Sequence, residues 1–192
     1  MLSMFIETES TPNPATIKFL PGLTVMAQGT RDFATASEAM GSPFATALFA
    51  LDGVAGVFFG RDFVSVSIDD PARWSALKPD ILATILDQLT SGQPLFEAGK
   101  ATTKPAAELF APAREEDADI VDQILDLVET RVRPAVANDG GDIIYRGYAD
   151  GTVYLQMQGA CAGCPSSTAT LKHGIESLLK HYVPEVEHVV AV

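Results

Sequence analysis

Residues 159–167 read Gly-Ala-Cys-Ala-Gly-Cys-Pro-Ser-Ser, and they hold both cysteines of the 192-residue chain. The two thiols, Cys161 and Cys164, have the spacing Cys-x-x-Cys and are surrounded by glycine and alanine. Pro165 is typical of the first position of a helix, so this stretch predicts a thiol loop that opens a helix. Two thiols on a tight turn suit three chemistries: a dithiol/disulfide couple, half of a zinc site, or half of an iron–sulfur site.

The sequence around the thiol loop predicts an α+β domain. A long amphipathic helix is expected from residue 115, because acidic residues at its start precede apolar residues at steps of three or four. We expect Pro134 to kink this helix or stop it in its last turn. Two strands are then predicted at 143–148 and 153–157. A helix follows at 167–182, and a closing strand at 186–192. The predicted order is α-β-β-α-β, with the thiol loop between the second strand and the second helix.

The first half of the chain predicts a second small α+β domain. Ser42 and Pro43 indicate the cap and first residue of a helix that runs to about Leu51. A further helical region begins near Asp70, and we expect Pro79 to break it into two pieces. Strands are predicted at 4–7, 16–20, 24–28, 54–59 and 63–67, the last two forming a hairpin. Four aromatic residues are expected to lie either in the core or in one exposed contact patch. They are Phe58, Phe59, Phe63 and Trp74.

Between the two halves the pattern changes. Glycine and proline interrupt an Ala- and Thr-rich stretch without a sustained period, which is typical of a linker. The predicted organisation is therefore a first domain at 1–91, a Pro/Ala-rich linker at 92–114 and a second domain at 115–192.

Composition excludes several classes of function. The formal net charge is −12 and is divided evenly between the two halves, so no basic region is available to bind nucleic acid. No apolar run approaches membrane-spanning length. The first residues carry Glu7 and Glu9 and lack a basic start, which is atypical of a signal or transit peptide. We expect a cytoplasmic bacterial protein, or the processed form of an organellar one in the mitochondrial matrix.

A thiol oxidoreductase is the first interpretation of the cysteine pair. A thioredoxin-like fold also places Cys-x-x-Cys between a strand and a helix. That fold needs a further β-α unit and two more strands after the motif helix, whereas only 28 residues follow Cys164. The motif alone leaves this alternative open.

A metal site is the second interpretation. A closed zinc site and a cubane iron–sulfur cluster each need four ligands, and the chain supplies two thiols. None of the three histidines stands at a ligand spacing from the cysteines: His173, His181 and His188. A two-fold dimer would complete a Cys₄ set, and the small residues of the loop would let two backbones approach one inorganic core. Cys164 at a helix N-terminus would favour the thiolate form. A plainer alternative is that two small buried thiols cap a helix.

The cysteine stretch and several other segments resemble one known family. In the second half, the NifU C-terminal (Nfu) domain signature is resembled by residues 133–134, 139–142 and 159–172. In the first half, residues 11–14, 17–19 and 42–43 resemble the Nfu N-terminal domain. The resemblance covers nearly the whole chain apart from the linker.

The resemblance implies an iron–sulfur cluster scaffold or carrier. Two subunits of such a protein hold one [4Fe-4S] cluster through the residues that match Cys161 and Cys164, and hand it to apo-proteins. The expected partners are a second copy of the chain when the cluster is loaded, apo iron–sulfur client proteins and upstream cluster-assembly proteins. The expected alternatives are a Cys-x-x-Cys thiol oxidoreductase and a zinc-bridged dimer.

The remaining polar residues do not predict an enzyme. Asp139 and Asp142 are separated by two glycines, which favours a turn in which they accept from nearby amides over a catalytic pair. Lys172 is interpreted as a solvated helix lysine. The sequence contains no phosphate loop, Ser-His-Asp set or dinucleotide fingerprint, so we expect no substrate turnover.

Overall fold

Two separate sheets organise the chain, each with its own helices. The structure is a computed structural model that describes residues 5–96, 114–162 and 165–192. Contacts between α-carbons divide the chain into the units Met1–Pro105 and Ala106–Val192. Most of the predicted linker lies outside the described residues. Because each unit mixes helices with a sheet, the α+β prediction is confirmed.

The sheet of the N-terminal unit has five antiparallel strands in the order β1-β2-β5-β4-β3. The strands are β1 Glu7–Ser10, β2 Thr16–Leu20, β3 Arg31–Phe33, β4 Val54–Phe59 and β5 Val64–Ile68. The predicted hairpin is present as β4 and β5, in which Phe59 pairs with Val64.

Two predicted strands of this unit are misplaced. The first strand begins at Glu7, and residues 5 and 6 are not part of it. The strand predicted at 24–28 is wrong, because the backbone amides of Val25 and Met26 both donate to the carbonyl of Arg61, at 2.8 and 3.1 Å, in a loop contact. The edge strand β3 follows instead at Arg31–Phe33.

The two helices of the N-terminal unit begin as their caps predict. Helix α1 spans Pro43–Phe49, and the Ser42 hydroxyl accepts from the amide of Ala45 at 3.2 Å. Helix α2 spans Trp74–Thr90 after a 3₁₀ turn that Asp70 caps. Pro79 lies inside α2 without ending it, so the predicted break is wrong. A proline removes a single backbone donor, and the buried apolar face of α2 continues on both sides of it.

Phenylalanines form much of the N-terminal core. The ring centroids of Phe33 and Phe44 lie 5.3 and 5.0 Å from that of Phe59. Phe58 and Phe63 are also buried, which confirms the core interpretation for these rings. Trp74 is half-buried, and its indole N–H donates to the carbonyl of Pro14 at 3.0 Å.

The C-terminal unit begins with a continuous helical path of changing type. A 3₁₀ turn leads into α3 (Ala118–Leu127), then a π-helical segment (Val128–Val132), then α4 (Arg133–Asn138). Pro134 is the second residue of α4. The helix continues past it, so a stop at Pro134 is wrong. The wider π turn ends two residues before the proline, where the regular hydrogen-bond ladder is interrupted.

The second sheet consists of three strands in the order β6-β7-β8. Strand β6 spans Gly141–Ala149, β7 spans Thr152–Gly159, α5 spans Pro165–Tyr182 and β8 spans His188–Ala191. Asp150 and Gly151 join β6 to β7 with φ values of 45° and 75°, which suits a two-residue hairpin. Strand β8 returns parallel to β7. The predicted order α-β-β-α-β is confirmed.

Candidate metal centre

Cys161 lies two residues beyond the end of β7. The backbone reverses at Gly159, which has a φ of 64°, and the amide of Ala162 donates to the Gly159 carbonyl at 3.1 Å. Helix α5 begins at Pro165, as its sequence predicts. The other predicted ligand, Cys164, lies outside the described residues together with Gly163. Its roles as helix cap and ligand therefore stay predictions.

The Cys161 side chain lies in the core of the C-terminal unit. It is 4% exposed and belongs to the same buried cluster as Ile143, Met157 and Ile175. Burial raises the pKa of the Cys161 thiol to about 12, and the negative charges of Asp139 and Asp142 add to this effect. In this conformation the neutral thiol is strongly favoured over the thiolate.

The turn before β6 holds the first part of the thiol loop. The amide of Ala160 donates to the carbonyl of Gly140 at 3.2 Å, and Gly141 pairs with Gly159 across the β6–β7 ladder. A β-carbon at Gly141 would collide with the carbonyl oxygen of Gln158 and lie 2.9 Å from the sulfur of Cys161. The close approach of these strands and the thiol therefore depends on glycine at this position.

The first turns of α5 hold the other side of the loop. The hydroxyl of Thr168 donates to the carbonyl of Cys161 at 2.8 Å. This bond connects residues seven positions apart and fixes the peptide that carries the thiol. Sequence reasoning did not single out Thr168, because a threonine near the start of a helix gives no local signal of such a contact.

An ion pair with a buried carboxylate and a half-buried arginine lies one residue beyond Gly141. The Asp142 carboxylate, in a residue that is 4% exposed, accepts from Arg133 Nε at 2.9 Å and Nη2 at 3.0 Å. It also accepts from the backbone amide of Ile143 at 2.7 Å. The sequence predicted that Asp142 would accept from a nearby amide in this way. Arg133 donates in addition to Glu129 at 2.7 Å. The ion pair joins the start of α4 to the start of β6, the strand that contacts the thiol loop.

The other residues weighed as ligands lie apart from one another. His173 and His181 are exposed on α5, and His188 is exposed on β8. Lys172 is half-buried on α5. Over residues 5–96, 114–162 and 165–192, no group of three or more His, Cys, Asp or Glu side chains is placed to hold a metal ion.

Comparison with family models identifies both units. Residues 124–190 match the NifU-like domain, and residues 6–92 match the domain described as scaffold protein Nfu/NifU N terminal. The two matches together cover most of the chain and define a two-domain protein of the Nfu/NifU class. The chain belongs to the NifU-like family.

Individual relatives agree with this assignment. The chain is 51% identical over 189 residues to NifU-like protein 5, mitochondrial, of Arabidopsis thaliana, covering 97% of this chain and 67% of that protein. It is 48% identical over 187 residues to the NFU1 iron-sulfur cluster scaffold homolog, mitochondrial, of Homo sapiens, covering 97% and 71%. The chain thus spans about two thirds of the length of the curated relatives it matches.

Solved structures give a partial match. The solution NMR structure of a NifU-like protein from Saccharomyces cerevisiae aligns with a TM-score of 0.45 at 26% identity, covering 51% of this chain and 91% of that one.

Within the described part of the chain, no helix combines the length and the apolar character that crossing a membrane requires.

Proposed function

We propose that this chain is an iron–sulfur cluster scaffold or carrier that binds a [4Fe-4S] cluster between two subunits and transfers it to apo-proteins. The observation that carries the proposal is the position of the chain's two cysteines. They stand as Cys-x-x-Cys within the segment that matches the NifU-like domain. Relatives of the chain are named as iron-sulfur cluster scaffolds, which supports the same role here.

The number of thiols favours a dimeric site. A cubane cluster is held by four cysteine thiolates, and one chain contributes two, Cys161 and Cys164. A second copy of the chain supplies the other two. The cluster is cargo, and a site completed only by contact between two chains opens when that contact loosens. Thiolates of an apo client then replace Cys161 and Cys164 one at a time.

The names of the relatives weigh against a thiol oxidoreductase, because they describe NifU-like proteins and iron-sulfur cluster scaffolds. We therefore infer a role without substrate turnover. A zinc-bridged dimer uses the same thiols and is separated from the cluster carrier by metal analysis.

We propose that the cluster-binding domain covers residues 115–192, after a first domain at 1–91 and a linker at 92–114. Proposed partners are apo iron–sulfur proteins and upstream cluster-assembly proteins, without nucleic acid or membrane. Of the two predicted locations, the mitochondrial matrix is favoured over a bacterial cytoplasm, because the relatives reported above are named as mitochondrial proteins.

Anaerobic reconstitution with iron and sulfide tests this proposal. The wild-type chain should become a brown dimer with about four iron atoms per two chains. Cys161→Ala should abolish cluster uptake without unfolding the protein, whereas Ser177→Ala, at an exposed position on α5 outside the thiol loop, should load normally. Zinc should be absent from the loaded dimer. A full cluster absorption band in Cys161→Ala, or a loaded single chain without a small thiol ligand, would contradict the proposal.

A further inference from the structure

The described position of Cys161 does not suit a cluster shared between two chains. Such a cluster needs the sulfur at a surface that a second chain can reach. The Cys161 residue is 4% exposed and is packed within the core of its own unit. Loading therefore requires the sulfur to leave the core.

We propose that the metal-free chain stores the Cys161 thiol inside the C-terminal core, and that Thr168 and Gly141 are positioning residues that hold it there until cargo is loaded. This inference rests on the proposed function for its biological meaning. The storage itself is a property of the metal-free chain and can be measured without a cluster.

Gly141 provides the space for the stored thiol. A side chain at this position would meet the Cys161 sulfur at 2.9 Å and the Gln158 carbonyl still closer. Even alanine would force the sulfur, or the strand beneath it, to move. The inward position of Cys161 therefore depends on the missing β-carbon of Gly141.

Thr168 closes the loop from the other side. Its hydroxyl donates to the Cys161 carbonyl at 2.8 Å, whereas the residue before Cys161 is held to the turn before β6 by the Ala160–Gly140 hydrogen bond. Breaking the Thr168 bond frees the peptide that carries the thiol while the β6–β7 ladder stays intact. Gly159, at a φ of 64°, offers backbone freedom at the start of the loop.

Storage would have two effects on the carrier. A buried thiol is poorly accessible to oxidants and alkylating agents, so the stored Cys161 is protected. The return of Cys161 to the core also competes with the bound cluster. This competition weakens retention and favours release to a client.

Alkylation rates of single-thiol variants test the storage. In Cys164→Ser, N-ethylmaleimide should modify Cys161 about 100-fold more slowly than an exposed thiol, because reaction requires a local opening of the core. The reference is Ser177→Cys in a chain with both native cysteines changed to serine, since Ser177 is exposed on α5. In denaturant the two thiols should react alike. Equal rates in the folded proteins would overturn the storage.

Substitutions at Thr168 test its positioning role. In the Cys164→Ser background, Thr168→Val removes the hydroxyl and keeps the shape, and should accelerate alkylation about fivefold, which corresponds to one hydrogen bond. Thr168→Ser keeps the hydroxyl and should restore the slow rate. If the valine and serine variants react equally, Thr168 does not hold the loop. Gly141→Ala should also accelerate the reaction; if this variant fails to fold, Thr168→Val carries the test.

Cluster loading separates this inference from the proposed function. With both cysteines present, Thr168→Val should take up the cluster at lower iron and sulfide concentrations than wild type. Unchanged loading in that variant would overturn the claim that storage competes with cargo. A slow Cys161 in a wild-type chain that never binds iron and sulfide would contradict the proposed function and leave the stored thiol established.

Discussion

The two units of this chain share a fold class but differ in what their cores contain. In the N-terminal unit, a five-stranded antiparallel sheet packs on two helices through a core rich in phenylalanine. In the C-terminal unit, the sheet has three strands and the core is mostly aliphatic, with one thiol among its buried residues. Both contain buried charges: Lys18 pairs with Glu9 at 3.3 Å, and Asp142 pairs with Arg133 at 2.9 Å.

Both units contain positive-φ glycines and a register shift in the sheet, and they differ in what lies beside the irregular backbone. In the C-terminal unit, a π-helical segment leads to Arg133, and the buried Asp142 pairs with it. Positive φ values occur at Gly140 and Gly159, on either side of the contact with the thiol loop. These features form one connected path that ends at Cys161. The N-terminal core is therefore built largely from aromatic rings, whereas the C-terminal core encloses the Cys161 thiol.

The largest expected effect is the loss of a central ring from the N-terminal core. Phe59→Ala should lower the free energy of unfolding of this unit by about 4 kcal/mol, because Phe59 is fully buried between two other rings. Trp74, the single tryptophan, reports this transition by fluorescence. The alkylation rate of Cys161 should not change.

The control for this substitution is Phe5→Ala, because Phe5 is 77% exposed. It should change the unfolding free energy by less than about 0.5 kcal/mol. The contrary result would be that Phe59→Ala also accelerates the alkylation of Cys161, by a factor that corresponds to the loss of unfolding free energy measured with Trp74. The two units would then unfold together, and their cores could not be treated as separate.

The parts of the fold that could be predicted from sequence have local signals. Ser42 and Pro43 mark a helix start through the geometry of the cap itself, and Asp150-Gly151 marks a two-residue hairpin through its backbone conformation. Strand β3 was missed because its three residues, Arg-Asp-Phe, bury a single side chain and show no alternation. The continuity of α2 through Pro79 depends on tertiary packing that no local rule contains.

The site could be predicted only in part. The spacing of Cys161 and Cys164 marks the loop, and the structure places Cys161 two residues after the end of β7. The burial of its thiol was predicted only by the plainer alternative of two buried thiols capping a helix, because glycine and alanine neighbours do not reveal what packs against them. The partners Arg133 and Asp142 are nine residues apart, across a helix end and a turn. Neither a helical nor a strand period relates such positions, so the ion pair carried no signal.

The second prediction tests whether the ion pair of Arg133 and Asp142 stabilises the C-terminal unit. Arg133→Gln should lower the stability of the C-terminal unit by about 2 kcal/mol, because it leaves the buried Asp142 carboxylate without its cation. This figure is below that of a fully buried pair, since the Arg133 side chain is 35% exposed. All four tyrosines lie in this unit, so their near-ultraviolet circular dichroism follows its unfolding.

Glu129→Gln is the matched control, because it removes the other partner of the same arginine. Glu129 is exposed, so this change should cost less than about 0.5 kcal/mol. Similar losses of unfolding free energy in Arg133→Gln and Glu129→Gln would mean that the burial of Asp142 does not make its ion pair stronger than an exposed one. The Arg133–Asp142 pair would then not be what connects α4 to β6 and the thiol loop.

The smallest expected effect concerns the acid response of the C-terminal unit. Hydrogen bonds from Lys180 and from the amide of Val189 lower the pKa of Glu176 from 4.5 to about 2. Because the folded pKa is the lower one, the ionised carboxylate stabilises the fold above about pH 4.5, and this contribution is lost as the pH falls toward 2. Glu176→Gln should therefore remove part of the acid destabilisation seen by tyrosine circular dichroism in urea titrations at pH 7 and pH 3. Ser177→Ala, at an exposed neighbouring position on α5, should keep the wild-type response. If wild type and Glu176→Gln lose the same stability between these pH values, the contact of α5 with β8 does not depend on the charge of Glu176.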